Sequence, residues 1–144
     1  MNVLKMRLLG FNYTKIYVEH FSNVSGELKI NTNIDVVNIE RTKPEFFKLK
    51  EELLSIKFKY ILDYEPNIAK IELEGNVLLS LDSKTAREVL NMWEDKKIPD
   101  DFRISLFNLI LRKSNLRAMQ LEEEMNLPLH VPLPSLRKPD KEEK

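Results

Sequence analysis

Between positions 56 and 75 the chain alternates strictly. Ile56, Phe58 and Tyr60 are separated by Lys57 and Lys59, and after DYEPN the alternation resumes with Ala69, Ile71 and Leu73 against Lys70, Glu72 and Glu74. Two period-two runs joined by a turn that contains Pro and Asn predict an antiparallel hairpin. With residues 64–67 as a four-residue loop, Lys57 stands opposite Glu74 and Lys59 opposite Glu72, while Phe58 faces Leu73 and Tyr60 faces Ile71 on the other side. Each such pair contributes roughly 0.2–1 kcal/mol. A one-residue slip would turn the aromatic side to water, so the register should be well determined. The charged side reads as a solvated face of balanced charge, or alternatively as a surface for a partner.

The same alternation predicts two further strands. Leu4, Met6 and Leu8 alternate with Lys5 and Arg7; the phase then shifts near Leu9 and Gly10 and continues through Phe11 and Tyr13 toward Ile16 and Val18, which predicts a bulge at Gly10. After the turn-like SNVSG, residues Leu28, Ile30, Ile34 and Val36 mark a second strand, and Val37 with Ile39 takes up the opposite phase. Thr42 and Glu45 have capping-box spacing ahead of Phe46, Phe47 and Leu49, so this segment is a short helix or an ordered loop.

From Leu81 the period changes to that of a helix. Asp82 or Ser83 can cap a first turn, and Ala86, Val89, Leu90 and Trp93 form one narrow apolar stripe. A second helix, about residues 100–125, follows Pro99 with Asp100 and Asp101 in its first turn, where negative charge meets the helix dipole. Phe102, Leu106, Leu109 and Leu116 make one stripe on it, Ile104, Phe107, Leu111, Ala118 and Leu121 a second, and Ile110 lies between. A sheet can cover one side of so broad an apolar surface. The other side is expected to meet another subunit through Ile104, Phe107 and Leu111; the alternative is that loops and the first helix cover both within a monomer. Residues 1–126 thus read as one domain and 127–144 as a tail. Its LPLHVPLP stretch carries three prolines, which forbid helix and favour an extended path along a groove of its own domain, or alternatively along a partner's aromatic groove. From Arg137 onward disorder is expected.

Composition narrows the chemistry. At 144 residues the chain suits one domain, and its 23 basic and 23 acidic residues leave no basic field for nucleic acid. Cysteine is absent, which removes thiol nucleophiles, disulfides and Cys-ligated zinc and is consistent with a cytoplasmic home. The N-terminal MNVLKMRLLGF is interrupted by Lys5 and Arg7 and reads as a strand rather than a signal peptide, and no run approaches the roughly 20 apolar residues of a membrane helix. His20 and His130 lack the spacing of a zinc or nucleophile–base pair and read as solvated; Glu122, Glu123 and Glu124 read as facing water. Gly10, Gly26 and Gly75 form no phosphate-cradling loop. Phe11, Tyr13, Tyr17 and Phe21 interleave with Lys15, a pattern better explained by packing on a sheet face than by a nucleic-acid platform. No catalytic residue, cofactor or metal is expected.

The order and spacing of a long kinked first strand, ELKINTNIDVV, the hairpin LLSIKFKYILDYEPNIAKIELEGNVLLSL and two helices resemble the SecB export-chaperone family and its toxin–antitoxin relatives, over residues 4 to about 121. The resemblance implies an α+β fold: a four-stranded antiparallel sheet with two C-terminal helices packed on it, assembled as a dimer of dimers. It further implies ATP-independent holding of unfolded polypeptides in long apolar grooves, with no cofactor. Phe46 and Phe47 are then candidates for groove lining, or else close the core under a crossover loop. A Pro–Leu alternation stands where the export chaperone carries an acidic tail, so recognition by the secretion motor is not expected. An adaptor for one folded partner, anchored by the LPLHVPLPSL tail, is the alternative function.

Overall fold

The computed structural model describes residues 6–24, 26–42 and 51–134. Four strands, β1 (Met6–His20), β2 (Lys29–Thr42), β3 (Glu52–Glu65) and β4 (Ala69–Leu81), precede two helices, α1 (Ser83–Trp93) and α2 (Asp100–Glu124). All pairings are antiparallel and the sheet order is β1-β4-β3-β2. The consecutive strands β1 and β2 therefore lie at opposite edges, and β3 and β4 form the centre. Phe46, Phe47 and the capping-box segment beyond Thr42, like Leu4 and everything from Arg137 onward, lie outside the described residues.

Period two decides the faces. Ile56, Phe58, Tyr60 and Leu62 of β3 and Ile71, Leu73, Val77 and Leu79 of β4 are all fully buried. The hairpin register differs from the expected one by two residues: Lys59 faces Glu74, Lys57 faces Asn76, Tyr60 faces Leu73 and Phe58 faces Gly75. The loop is residues 65–68, with a cis Glu65–Pro66 bond and Asn67 at φ +48°, and Ile68 N–H closes on Tyr64 O at 2.8 Å. Because the shift is even, every residue keeps its face. Packing explains the choice. A Cβ on Gly75 would collide with Asn12 O and stand 3.0 Å from the Phe58 ring, so this register sets the one glycine of β4 beneath that ring. Phe11, from β1, stacks on the same ring at 5.2 Å between centroids.

The expected irregularity near Gly10 is present as a register shift between Leu8 and Gly10, and a second occurs between Tyr13 and Lys15. In β2 the shift between Val36 and Asn38 leaves Val37 47% exposed, which accounts for the phase change in the sequence.

On the open face of the sheet Glu72 is only 6% exposed because three lysines close over it. Lys15, Lys59 and Lys70 place Nζ 3.0, 3.5 and 3.7 Å from its carboxylate. The hydrogen bond from Lys15, helped by the other charges, holds its pKa at about 2.

Asp82 caps α1 by accepting from Thr85 N–H at 3.2 Å; the Thr85 side chain, helped by that N–H, lowers its pKa, and the helix buries Ala86 and Val89 beside β2 and β3. In α2 the buried residues are Phe102, Leu106, Ile110, Ser114, Ala118, Leu121 and Glu122. Steps of four follow one ridge, which is inclined to the helix axis by roughly 26°. This differs from the two straight stripes expected: Ala118 and Leu121 enter the core, whereas Leu116 is 61% exposed. A buried line that follows steps of four winds around the helix, and a stripe drawn parallel to the axis misassigns its far end.

Candidate functional site

The ridge of α2 sets up the site, because it carries Glu122 onto the sheet while Glu123 and Glu124 stay in solvent. The chain then reverses. Asn126, at φ +56°, donates to Glu123 O at 3.3 Å and Leu127 N–H donates to Glu122 O at 2.8 Å, a Schellman closure with asparagine in the usual glycine position. Residues 127–134 continue without helix or strand as a strap along the C-terminal half of α2. Leu127 is buried at 6% exposure, as tail packing on its own domain requires.

The strap is held by a buried polar network. Glu122 Oε2 accepts from His130 N–H at 3.2 Å and lies 2.9 Å from His130 Nδ1. His130 Nε2 lies 3.0 Å from Asn115 Oδ1, to which the Tyr60 hydroxyl donates at 2.7 Å. The Tyr64 hydroxyl reaches both Glu122 Oε2 and Pro128 O, the latter at 2.9 Å, and shares its proton between them. Each ring nitrogen of His130 thus has oxygen within hydrogen-bond distance: Glu122 Oε2 at Nδ1, and at Nε2 both Asn115 Oδ1 and, at 3.1 Å, the Tyr60 hydroxyl. Burial, reinforced by the Glu122 charge, raises the Tyr60 pKa; burial and the hydrogen bond to Glu122 raise that of Tyr64. Both phenols remain donors.

Two sequence expectations are corrected here. Glu122 does not face water but is fully buried, because the ridge of α2 and not the local run of carboxylates decides its side. His130 is not solvated: its side chain is 5% exposed, because the strap that carries it folds back on the sheet. A lone polar residue inside LPLHVPL, on a segment expected to pack on its own domain, was the available signal, since burying it demands a partner. His20 stays apart from this network, beside Ala69 at the end of β1.

Against the strap lies an open groove of about 670 Å³, with Leu116, Met119, Leu129 and Leu133 as its apolar walls and Arg117, Glu123 and Glu124 among its polar groups. Leu116 and Leu133 are 61% and 57% exposed. Of the residues expected at an oligomer interface, Ile104 is 57% exposed, and Phe107 and Leu111 are half-buried against the core. Phe46 and Phe47 fall outside the described residues. No group of three or more His, Cys, Asp or Glu that could hold a metal occurs among the described residues, and none of the described helices is long and apolar enough to cross a membrane.

Comparison with protein-family models and with curated protein sequences gives no match. Among solved structures the chain is similar to the SecB-like chaperone Rv1957 of Mycobacterium tuberculosis, in complex with a ChAD peptide from the Rv1956 HigA1 antitoxin. The match has a TM-score of 0.53 at 12% identity and covers 94% of this chain and 93% of that one. An order of four antiparallel strands followed by two helices, matched over nearly the whole of both chains, identifies the fold as SecB-like.

Proposed function

We propose that this protein is a non-enzymatic, ATP-independent holdase that keeps unfolded or non-native polypeptides from aggregating. The observation that carries the proposal is the open apolar groove between α2 and the strap, which offers exposed leucines beside a polypeptide segment already seated on the domain. Apolar surface of this kind binds many sequences weakly and asks for no reacting group. The fold neighbour is a chaperone in complex with a peptide, which supports a polypeptide as the partner.

In this proposal the working unit is a cytoplasmic homo-oligomer, a dimer or tetramer, with Ile104, Phe107 and Leu111 at the subunit interface and Phe46 and Phe47 lining the client site. Residues 1–126 form its domain and 127–144 its tail, and neither nucleic acid nor the membrane is a partner. The second reading, an adaptor for one specific protein, is favoured by the single antitoxin peptide in the neighbour's complex.

Light scattering separates the two. A chemically denatured client diluted with this protein, without nucleotide, should stay clear near one oligomer per client chain. Aggregation that persists at large excess would remove the holdase reading and leave the adaptor. Phe46→Ala/Phe47→Ala should weaken suppression, and Ile104→Asp should shift the sedimentation velocity profile toward monomer.

A further inference from the structure

We infer that residues 128–133 occupy, in cis, a site built for a segment of another polypeptide, and that parting of the Glu122–His130 pair opens it. The inference rests on the polypeptide-binding reading above and specifies where that binding occurs.

The strap is held partly by groups that read backbone. Tyr64 donates to the carbonyl of Pro128, and Glu122 accepts from the N–H of His130. A carbonyl and an N–H two residues apart are offered by almost any polypeptide, so the pair Tyr64 and Glu122 tolerates many sequences. A hydrogen-bond-donating side chain at the second position, as His130 provides here, adds a further bond to Glu122. Glu122 Oε1 is buried with no partner among the described residues, which leaves acceptor capacity for an incoming N–H.

The strap is also anchored at few points. Leu127 belongs to the cap of α2 and stays when the rest departs. Beyond it, His130 is the deeply held side chain; Leu129 and Val131 are half-buried, while Pro128, Pro132 and Leu133 are exposed. Leu129 and Leu133 form one wall of the groove whose other wall includes Leu116 and Met119. Lifting residues 128–133 therefore removes that wall, leaves Leu116 and Met119 open, and uncovers Tyr60, Tyr64 and Asn115. A tethered occupant competes at a high effective concentration, so a short peptide displaces it poorly while an unfolded chain with several contacts displaces it well.

The test uses the full-length protein and two probes: the fluorescein-labelled peptide LPLHVPL, read by anisotropy, and a chemically denatured client. In His130→Ala, shown to be folded by its thermal melt, the peptide should bind at least about tenfold tighter, because a larger fraction of molecules is open. In the wild type, saturating client should speed hydrogen–deuterium exchange at the amides of Leu129, His130 and Val131, a measurement that stands even if His130→Ala does not fold. Client binding that leaves these amides unchanged or slows them overturns the inference and spares the chaperone reading, as does a folded His130→Ala that binds the peptide no better. If neither probe binds either protein, both fall together.

Discussion

On the open face of the sheet Glu72 sits among Lys15, Lys59 and Lys70; on the helix-covered face Glu122 sits among Tyr64, His130 and, through His130, Asn115 and Tyr60. Both carboxylates are almost inaccessible, at 6% and 0% exposure, yet they are sheltered differently. Glu72 lies under lysine side chains that are themselves 48%, 36% and 37% exposed, so their stems cover it while their charges meet water. When one lysine is removed, the other two and solvent remain. Glu122 draws its partners from β3, α2 and the strap, elements that meet only after the chain reverses at Asn126. Solvent is not at hand there to replace a lost partner. The comparison separates redundancy from commitment: the open cluster steadies a hairpin that is already paired, whereas the closed one decides whether the strap is docked.

The largest effect expected from breaking this contrast is at Glu122. Glu122→Ala leaves the His130 N–H and Nδ1 without their partner inside the protein and should cost about 2–4 kcal/mol in urea unfolding. A loss below about 1 kcal/mol would mean that the strap is already open in solution.

Acid should loosen the open cluster. The folded-state pKa of Glu72, about 2, lies below its ordinary value of 4.5, so its contribution is complete above about 4.5 and is lost as pH falls toward 2. Because its lysine partners are partly solvated, the loss should be on the order of 1–3 kcal/mol. Glu72→Gln should flatten stability across that window, and an unchanged slope would assign the acid sensitivity elsewhere.

Tyr64→Phe keeps the ring and removes the hydroxyl shared by Glu122 and Pro128. It should cost about 1–2 kcal/mol and speed amide exchange at His130, with little change in exchange within β4. Lys70→Ala should cost less than about 1 kcal/mol, and its effect should fade with added salt. If Lys70→Ala matched Glu122→Ala, the distinction between the two clusters would collapse.

The open cluster was largely legible in the sequence. Alternation puts Lys59, Lys70, Glu72 and Glu74 on one face whatever the register, and the two-residue shift only exchanged one glutamate for another opposite Lys59. The cap at Asp82 and the change of phase around Val37 were visible for the same reason, since each is written within a few consecutive residues. The closed cluster was not legible. Tyr60 and Tyr64 could be assigned to the inner face of β3, but their hydroxyl partners Asn115 and Glu122 lie 55 and 58 residues away on α2. Read on α2 alone, Glu122 is one of three consecutive carboxylates, and nothing local distinguishes it from Glu123.

By itself the sequence determined strand and helix periods, helix starts and the side of the sheet that each residue faces, because these follow from backbone geometry over a turn or a pleat. Tertiary structure decided among the possibilities which that geometry leaves equal. The Phe58 ring over Gly75 selected one of two registers of equal parity. The inclined ridge of α2 turned Leu121 and Glu122 inward and Leu116 outward, and the reversal at Asn126 brought His130 back to Glu122. The physical reason is the same in each case: local periodicity says that a group must be buried or paired, and only the packing of distant elements supplies the partner.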